Sequence, residues 1–101
     1  MDGTTIFIGS KKSTMAYVLA VAMQMNNKGI AEMAIKARGK AISRAVDVAE
    51  IVRNKFVTTA KIQDIRISTE EVKSHDSEEP IKVSSIEILL KNEKPAQAQN
   101  P

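Results

Sequence analysis

The hydrophobic positions in the first 60 residues of the chain form two strand-then-helix units. In the first unit, residues 4–8 are a short β-branched and apolar run that Gly9 ends, which predicts a buried strand. A polar loop follows, and the hydroxyl of Ser13 or Thr14 can cap the helix after it. We expect that helix to end at Gly29, a residue suited to the left-handed position after a last helical turn.

The second unit repeats this order. Residues 30–37 alternate between apolar and polar positions, which predicts a second strand, and residues 38–40 make a tight link to the next helix. The apolar residues of this second helix recur at intervals of three and four: Ile42, Ala45, Val46, Ala49, Val52 and Phe56.

The last third of the chain has the period of two that is typical of strands. Residues 61–72 and 81–91 predict two strands joined by a polar turn, that is, a long hairpin. Ile81 and Val83 are in the opposite phase to the other apolar residues of the returning strand. We therefore expect a bulge or a strong twist near Ser84–Ser85.

The predicted element order is β-α-β-α-β-β, which indicates an α+β fold of two layers. We expect a four-stranded mixed sheet with two helices on one face and the hairpin of the last two strands protruding as an arm. With 101 residues the chain has room for one domain, which we assign to residues 1–91. Residues 92–101 are rich in Pro, Gln, Ala and Asn and predict a flexible C-terminal tail.

The formal net charge of +3 conceals an uneven distribution. Residues 1–61 carry a net charge of +6, and residues 62–101 carry −3. A basic part of this size can face a polyanion, although solvated charges spread over a fold have the same composition. There is no cysteine, no apolar run near 18 residues and no signal-peptide pattern, so we expect an intracellular, cytoplasmic protein without a membrane partner.

Residues suited to catalysis are scarce. The single histidine, His75, lies in the polar turn among acidic residues, and Asp47 and Glu50 have arginines three residues away in the second helix. We therefore expect no enzyme activity, no metal site and no cofactor. Residues 9–14 partly match a phosphate-binding loop, but the second glycine of that motif is missing. A small phosphate-handling enzyme is therefore one functional hypothesis, and we place it last of three.

Basic residues cluster at the two strand-to-helix links. If the first two strands are parallel, the links that follow them lie at the same end of the sheet. That arrangement would bring together five side chains: Lys11, Lys12, Arg38, Lys40 and Arg44. Such a patch suits the phosphates of a nucleic-acid backbone, and isolated solvated loop charges are the alternative. With so few aromatic residues, base stacking is not expected to be the main binding mode.

The sequence is compatible with two alternative roles for each of two aromatic residues. The hydroxyl of Tyr17 can reach a phosphate near Lys12, or its ring can be half-buried packing. Phe56 ends the apolar face of the second helix, as a core residue or as an exposed anchor for another subunit.

Several segments closely resemble the Alba family of archaeal chromatin proteins. They are Ile8-Gly9 with Lys11-Lys12 and Tyr17–Ala20, then residues 35–47, residues 50–56, and the return strand from Val83 to Ile88. The similarity extends over about residues 4–91 and implies the fold given above. It also implies a homodimer that binds double-stranded DNA and RNA with little sequence preference.

The resemblance implies roles for individual residues. The positions that match nucleic-acid-binding positions of the family are Lys11, Lys12, Arg38, Gly39, Lys40, Arg44, Arg53 and Asn54. In the family one of the paired lysines is reversibly acetylated and a sirtuin-type deacetylase reverses this, so Lys11 and Lys12 are the candidates here. Phe56 lies where family dimers touch one another along DNA.

The sequence departs from the family pattern in three places. Ser10 intervenes between Gly9 and the lysines and Ser13 replaces a proline; Ala16 replaces a common asparagine. The hairpin tip, often basic in the family, carries the acidic residues Asp76, Glu78 and Glu79. Insertion of this arm into the minor groove is therefore expected to be weaker.

The leading hypothesis is a chromosome-associated protein that coats and condenses DNA, also binds RNA, and is regulated by lysine acetylation. The alternative is a dedicated RNA-binding subunit of a ribonucleoprotein such as a ribonuclease P-type complex.

Overall fold

A computed structural model describes residues 4–73 and 79–93. The elements follow the predicted order: β1 (Thr5–Phe7), α1 (Thr14–Ala22), β2 (Glu32–Arg38), α2 (Ile42–Ile51), β3 (Ala60–Lys73) and β4 (Pro80–Asn92). Each helix continues into a wider π-helical turn, Met23–Asn27 after α1 and Val52–Phe56 after α2. The second helical segment therefore extends to Phe56, as its apolar spacing predicts.

The helical segment made of α1 and its π-helical turn lies between two residues that the sequence points to. Ser13 is the N-cap, and its side-chain oxygen accepts a hydrogen bond of 3.1 Å from the backbone N–H of Ala16. That bond satisfies one of the four N–H groups that have no partner within the helix. At the other end Gly29 has a φ of +69°, in the left-handed region, so the predicted stop is confirmed.

The strands form one mixed sheet in the order β1-β2-β4-β3. β1 is parallel to β2, and the other two neighbouring pairs are antiparallel. α2 packs on β2 and β4, and α1 packs beside α2, so one layer of helices lies on one layer of sheet. This architecture confirms the predicted α+β fold.

The two faces of the sheet differ sharply. Ile6, Ile35 and Ile88 stand side by side on β1, β2 and β4, and Ile35 and Ile88 are almost fully buried beneath the helices. Successive side chains of a strand alternate between faces, so Phe7 and Lys36 in the next row point away from the helices. Phe7 is 70% exposed. The prediction of a buried first strand is thus right for one face only, because β1 is an edge strand with no layer over its other face.

The irregularity in the hairpin lies elsewhere than predicted. The register shifts at Gln63 in β3, whereas pairing continues unbroken through Ser84–Ser85 in β4. The expectation of a bulge at Ser84–Ser85 was wrong, and the alternative of a strong twist there stays a prediction. Ile81 is half exposed. It lies beyond the end of β2, where no buried face determines to which side of the hairpin the apolar side chains point.

The hairpin projects past the rest of the sheet. The last residue of β2, Arg38, is level with Ser85, while β3 and β4 remain paired from Thr69–Ser84 to Lys73–Pro80. Three residues singled out in the turn, His75, Asp76 and Glu78, lie outside the described residues.

The sheet also extends beyond the expected domain boundary. Asn92 is the last residue of β4, is 2% exposed, and accepts a hydrogen bond from the Thr59 hydroxyl through its side-chain oxygen. Its backbone N–H donates to the carbonyl of Ala31 over 2.7 Å. Asn92 therefore belongs to the folded domain rather than to the predicted tail, and residues 94–101 lie outside the described part.

Candidate nucleic-acid interface

The two basic links lie at one end of the sheet, as parallel β1 and β2 require. Residues 9–13 leave the end of β1, and the turn Gly39–Ala41 leaves the end of β2. A direct contact joins the first link to the helix that follows the second: a guanidinium nitrogen of Arg44 in α2 donates a hydrogen bond of 2.5 Å to the backbone carbonyl of Lys12. The expected convergence of the two links is therefore present in the structure.

An open depression of about 940 Å³ lies between the first link and the sheet. Lys11, Lys12 and Arg38 line it on the side of the links. All three residues are exposed, as are Lys40 and the loop residue Ser10. We call Lys11, Lys12, Arg38, Lys40 and Arg44 the loop patch. Its cations are accessible to a ligand with negative charges in series.

Gly39 shapes the second link. Its φ of +62° lies in the left-handed region, which costs an L-residue with a side chain about 1–2 kcal/mol. A Cβ atom at this position would meet no neighbouring atom within 4 Å, so backbone conformation and not crowding favours glycine. The conformation turns the chain from the extended Arg38 directly into the turn before α2.

Arg38 is not entirely available for a ligand. Its guanidinium lies 3.3 Å from a carboxylate oxygen of Glu70, which is on β3 near the base of the hairpin arm. Both side chains are about half exposed, so this ion pair is weak, on the order of 0–1 kcal/mol. The acidic half of the chain thus reaches the basic patch at this contact.

Tyr17 restrains the start of the first link through a hydrogen bond. Its ring is 8% exposed, and its hydroxyl oxygen accepts a hydrogen bond of 3.0 Å from the backbone N–H of Gly9. This geometry favours the packing role over direct contact with a phosphate. The bond also fixes the start of the loop that carries Lys11 and Lys12.

Three predicted site residues lie away from the loop patch. Arg53 is nine residues beyond Arg44, roughly 14 Å along a helix axis, and pairs with Glu50 over 2.7 Å. Asn54 is exposed in the same turn. Phe56 packs partly against the core, and its carbonyl accepts a hydrogen bond of 3.0 Å from the Asn26 side chain. These residues define a second region at the far end of α2.

A separate apolar surface lies on β3. Ile65 and Ile67 are level with Ile88 and Ile86 of β4, which lie in or against the core, and so point to the same side of the sheet as the helices. β3 lies at the edge of the sheet, and these two side chains remain 51% and 77% exposed.

The described residues also bear on metal binding and membrane insertion. In residues 4–73 and 79–93 no three His, Cys, Asp or Glu side chains come together as metal ligands would. None of the helices in this part of the chain has the length and apolar character needed to cross a membrane.

This fold and its basic end can be compared with those of known proteins. The family model Alba matches residues 4–69. A protein of Picrophilus torridus named "DNA/RNA-binding protein Alba" is 53% identical over 89 residues, which are 88% of this chain and 96% of that protein. A protein of Archaeoglobus fulgidus named "DNA/RNA-binding protein Alba 1" is 53% identical over 90 residues, 89% of this chain and 97% of that protein.

A solved structure gives the same result. The structure titled "Alba from Thermoplasma volcanium" superposes with a TM-score of 0.80 at 51% identity, over 87% of this chain and 99% of that one. The chain belongs to the Alba family, so the resemblance found in the sequence is confirmed. Its relatives are named as nucleic-acid-binding proteins and not as enzymes, in agreement with the expectation that this chain is not an enzyme.

Sequence reasoning missed two features of the site. The exposure of Phe7 is detectable only once β1 is known to be an edge strand with one uncovered face. The contact between Arg38 and Glu70 spans 32 residues, and no local pattern signals it.

Proposed function

We propose that this chain binds duplex DNA and RNA with little sequence preference; its relatives are named DNA/RNA-binding proteins. The observation that carries the proposal is the hydrogen bond from Arg44 to the Lys12 carbonyl, which joins the first basic link to the helix that begins after the second. A group of cations at one end of the sheet is suited to a repeating phosphate backbone. Phosphate contacts of this kind position a protein on nucleic acid without reading its sequence.

The binding energy would come mainly from the release of condensed counterions. Each phosphate that a lysine or arginine neutralises changes the slope of log affinity against log salt by about −0.9 on B-DNA. Five contacts from one loop patch would thus give a slope of up to about −4.5. Arg53 and Asn54, at the far end of α2, would contact a more distant part of the same backbone or a neighbouring duplex.

A homodimer would double the number of loop patches on one ligand. The surface that supports this proposal is formed by Ile65 and Ile67, two large apolar side chains on a sheet edge beside the helices. A second copy that covered them would remove apolar area from water, at about 25 cal/mol per Å². Dimers in contact through Phe56 along DNA would coat and condense it, as expected of a chromosome-associated protein.

Acetylation would regulate this binding through Lys11 or Lys12. Both lysines are exposed, which a modifying enzyme and a sirtuin-type deacetylase require. An acetyl group removes the positive charge and so removes one phosphate contact. Glutamine in place of each lysine should weaken duplex binding, and arginine should preserve it.

The decisive experiment is a competition assay with the full chain. A labelled duplex DNA is displaced by an unrelated duplex DNA, a duplex RNA and a structured RNA of equal length. Similar displacement by both DNA duplexes, with displacement by the RNA duplex, supports the proposal. A preference for the structured RNA far above ten-fold would instead favour a dedicated ribonucleoprotein subunit.

A further inference from the structure

The open face of the sheet carries an exposed aromatic ring beside cations. Phe7, Lys36, Glu87 and Arg66 form one row across the four strands, on the face opposite the helices. The Phe7 ring is 70% exposed, and the ammonium nitrogen of Lys36 lies 5.7 Å from the ring centroid. Such a ring offers a flat apolar surface whose immediate neighbour carries a positive charge.

Lys36 is available to a ligand. Within residues 4–73 and 79–93 no carboxylate lies within ion-pair distance of its ammonium group, whereas the acidic neighbour Glu87 faces Arg66 at 3.6 Å. Arg38 follows two residues later on the same face of β2, about 6.6 Å further along the strand. Cations thus continue from beside the Phe7 ring toward the loop patch.

The ring and the loop lysines line the same depression. Phe7, Lys36, Lys11 and Lys12 all line this 940 Å³ space. Its volume is near the upper end of the range typical of ligand-binding clefts, roughly 300–1,000 Å³. A ligand in it would contact an aromatic face and several cations at once.

We propose that this open face is a binding site for a single-stranded polynucleotide, with one base stacked on Phe7 and the flanking phosphates at Lys36 and the loop lysines. A duplex does not fit this role, because its bases are already stacked on each other and expose only their edges. An unpaired base can lie flat on an aromatic side chain, as in other sheet-based readers of single strands. The inference adds a second ligand to the proposed function and depends on it only for the loop lysines.

A protein partner matches this surface less well than a nucleic acid does. Phe7 is flanked in its row by charged residues, so a complementary apolar surface would have to bury the Lys36 ammonium without a partner. A polyanion neutralises that charge and covers the ring at the same time. Charge complementarity therefore selects a polynucleotide.

The test compares affinities for unstructured oligonucleotides and for a duplex. Fluorescence anisotropy would be measured with labelled oligo(U) and oligo(dT) of about 12 nucleotides and with a duplex of equal length. We expect Phe7→Ala to weaken single-strand binding about ten-fold, within the range known for base–aromatic stacking, and to change duplex binding less than two-fold. Phe7→Tyr retains a ring and should bind single strands like the wild type.

Two further variants test whether the effect is specific to the Phe7 ring. Leu19→Ala removes a comparably exposed apolar side chain from α1 and should leave binding of both single strands unchanged. The chain contains no tryptophan, so Phe7→Trp places a unique fluorophore at the site. Stacking of a base on that indole should quench its emission saturably with single strands and leave it unquenched with the duplex.

The outcomes separate this site from the proposed duplex binding. A selective loss of single-strand affinity in Phe7→Ala supports the site, and the more strongly affected oligonucleotide shows whether RNA or DNA is the better ligand. Unchanged single-strand affinity, or an equal loss for the duplex, overturns it. Salt-dependent duplex binding that survives such a result leaves the proposed function intact.

Discussion

The guanidinium of Arg44 in α2 donates a hydrogen bond of 2.5 Å to the backbone carbonyl of Lys12 in the loop before α1. The bond connects two segments 32 residues apart in sequence and both at the end of the sheet where β1 and β2 finish. It makes the loop patch one unit rather than two separate loops.

Replacing Arg44 with alanine should therefore cost more than one phosphate contact. The variant loses the charge of Arg44 and also the restraint on Lys12, so the salt slope should become shallower by more than the roughly 0.9 of a single contact. Lys40→Ala is the matched control, because no described hydrogen bond restrains another cation through Lys40. Equal slopes for the two variants in anisotropy titrations would refute the positioning role of Arg44.

Removing the charge of Glu70 should strengthen nucleic-acid binding. Glu70→Gln would release Arg38 from its 3.3 Å ion pair, and we expect a two- to five-fold gain in duplex affinity at low salt that fades as salt screens the pair. Glu71→Gln is the control, since it removes the same charge from the neighbouring residue, which is level with Lys82 across the hairpin. A gain of the same size in Glu71→Gln would show that net charge alone is responsible.

The two glycines of the links should respond differently to alanine. Gly39→Ala places a side chain at a φ of +62° and should lower the free energy of unfolding by about 1–2 kcal/mol. A Cβ atom at Gly9 would meet the Tyr17 hydroxyl at 3.5 Å, an ordinary contact, and Gly9 does not have a positive φ. Gly9→Ala should therefore change stability by only a few tenths of a kcal/mol in urea unfolding, within the usual range of tolerated substitutions. Similar losses in both variants would contradict the conformational explanation.

A charge on the apolar edge of β3 should separate the subunits. Ile67→Lys would place an ammonium group in the surface that we propose a second copy covers, and light scattering should give the monomer mass of 11.0 kDa instead of twice that value. Ile81→Lys alters an exposed isoleucine on the other face of the hairpin and should remain dimeric. A wild-type chain that is already monomeric would rule out the proposed dimer.

Much of the fold can be predicted from local signals. The apolar spacing of α2, the Ser13 cap and the left-handed Gly29 each depend on residues close in sequence, and all three are confirmed. The hairpin irregularity was misplaced, because its position depends on pairing with β4 and not on the alternation within one strand.

The site was only partly predictable for the same reason. Lys11, Lys12 and Arg38 were found together because the β-α-β order dictates where parallel strands end. The exposure of Phe7 depends on which strand lies at the edge, and the bond from Tyr17 to Gly9 depends on how α1 is seated on the sheet. Sequence spacing contains neither kind of information.

We propose that the loop patch binds a phosphate backbone electrostatically and without reading sequence. The most direct measurement is the slope of log affinity against log salt for two unrelated DNA duplexes, with the wild-type chain and with the Lys11→Ala/Lys12→Ala variant. We expect similar affinities for both duplexes, a steep wild-type slope, and a slope that in the variant is shallower by about 1.8 for each loop patch engaged. Affinity that is insensitive to salt, or a double variant that binds like the wild type, would contradict it.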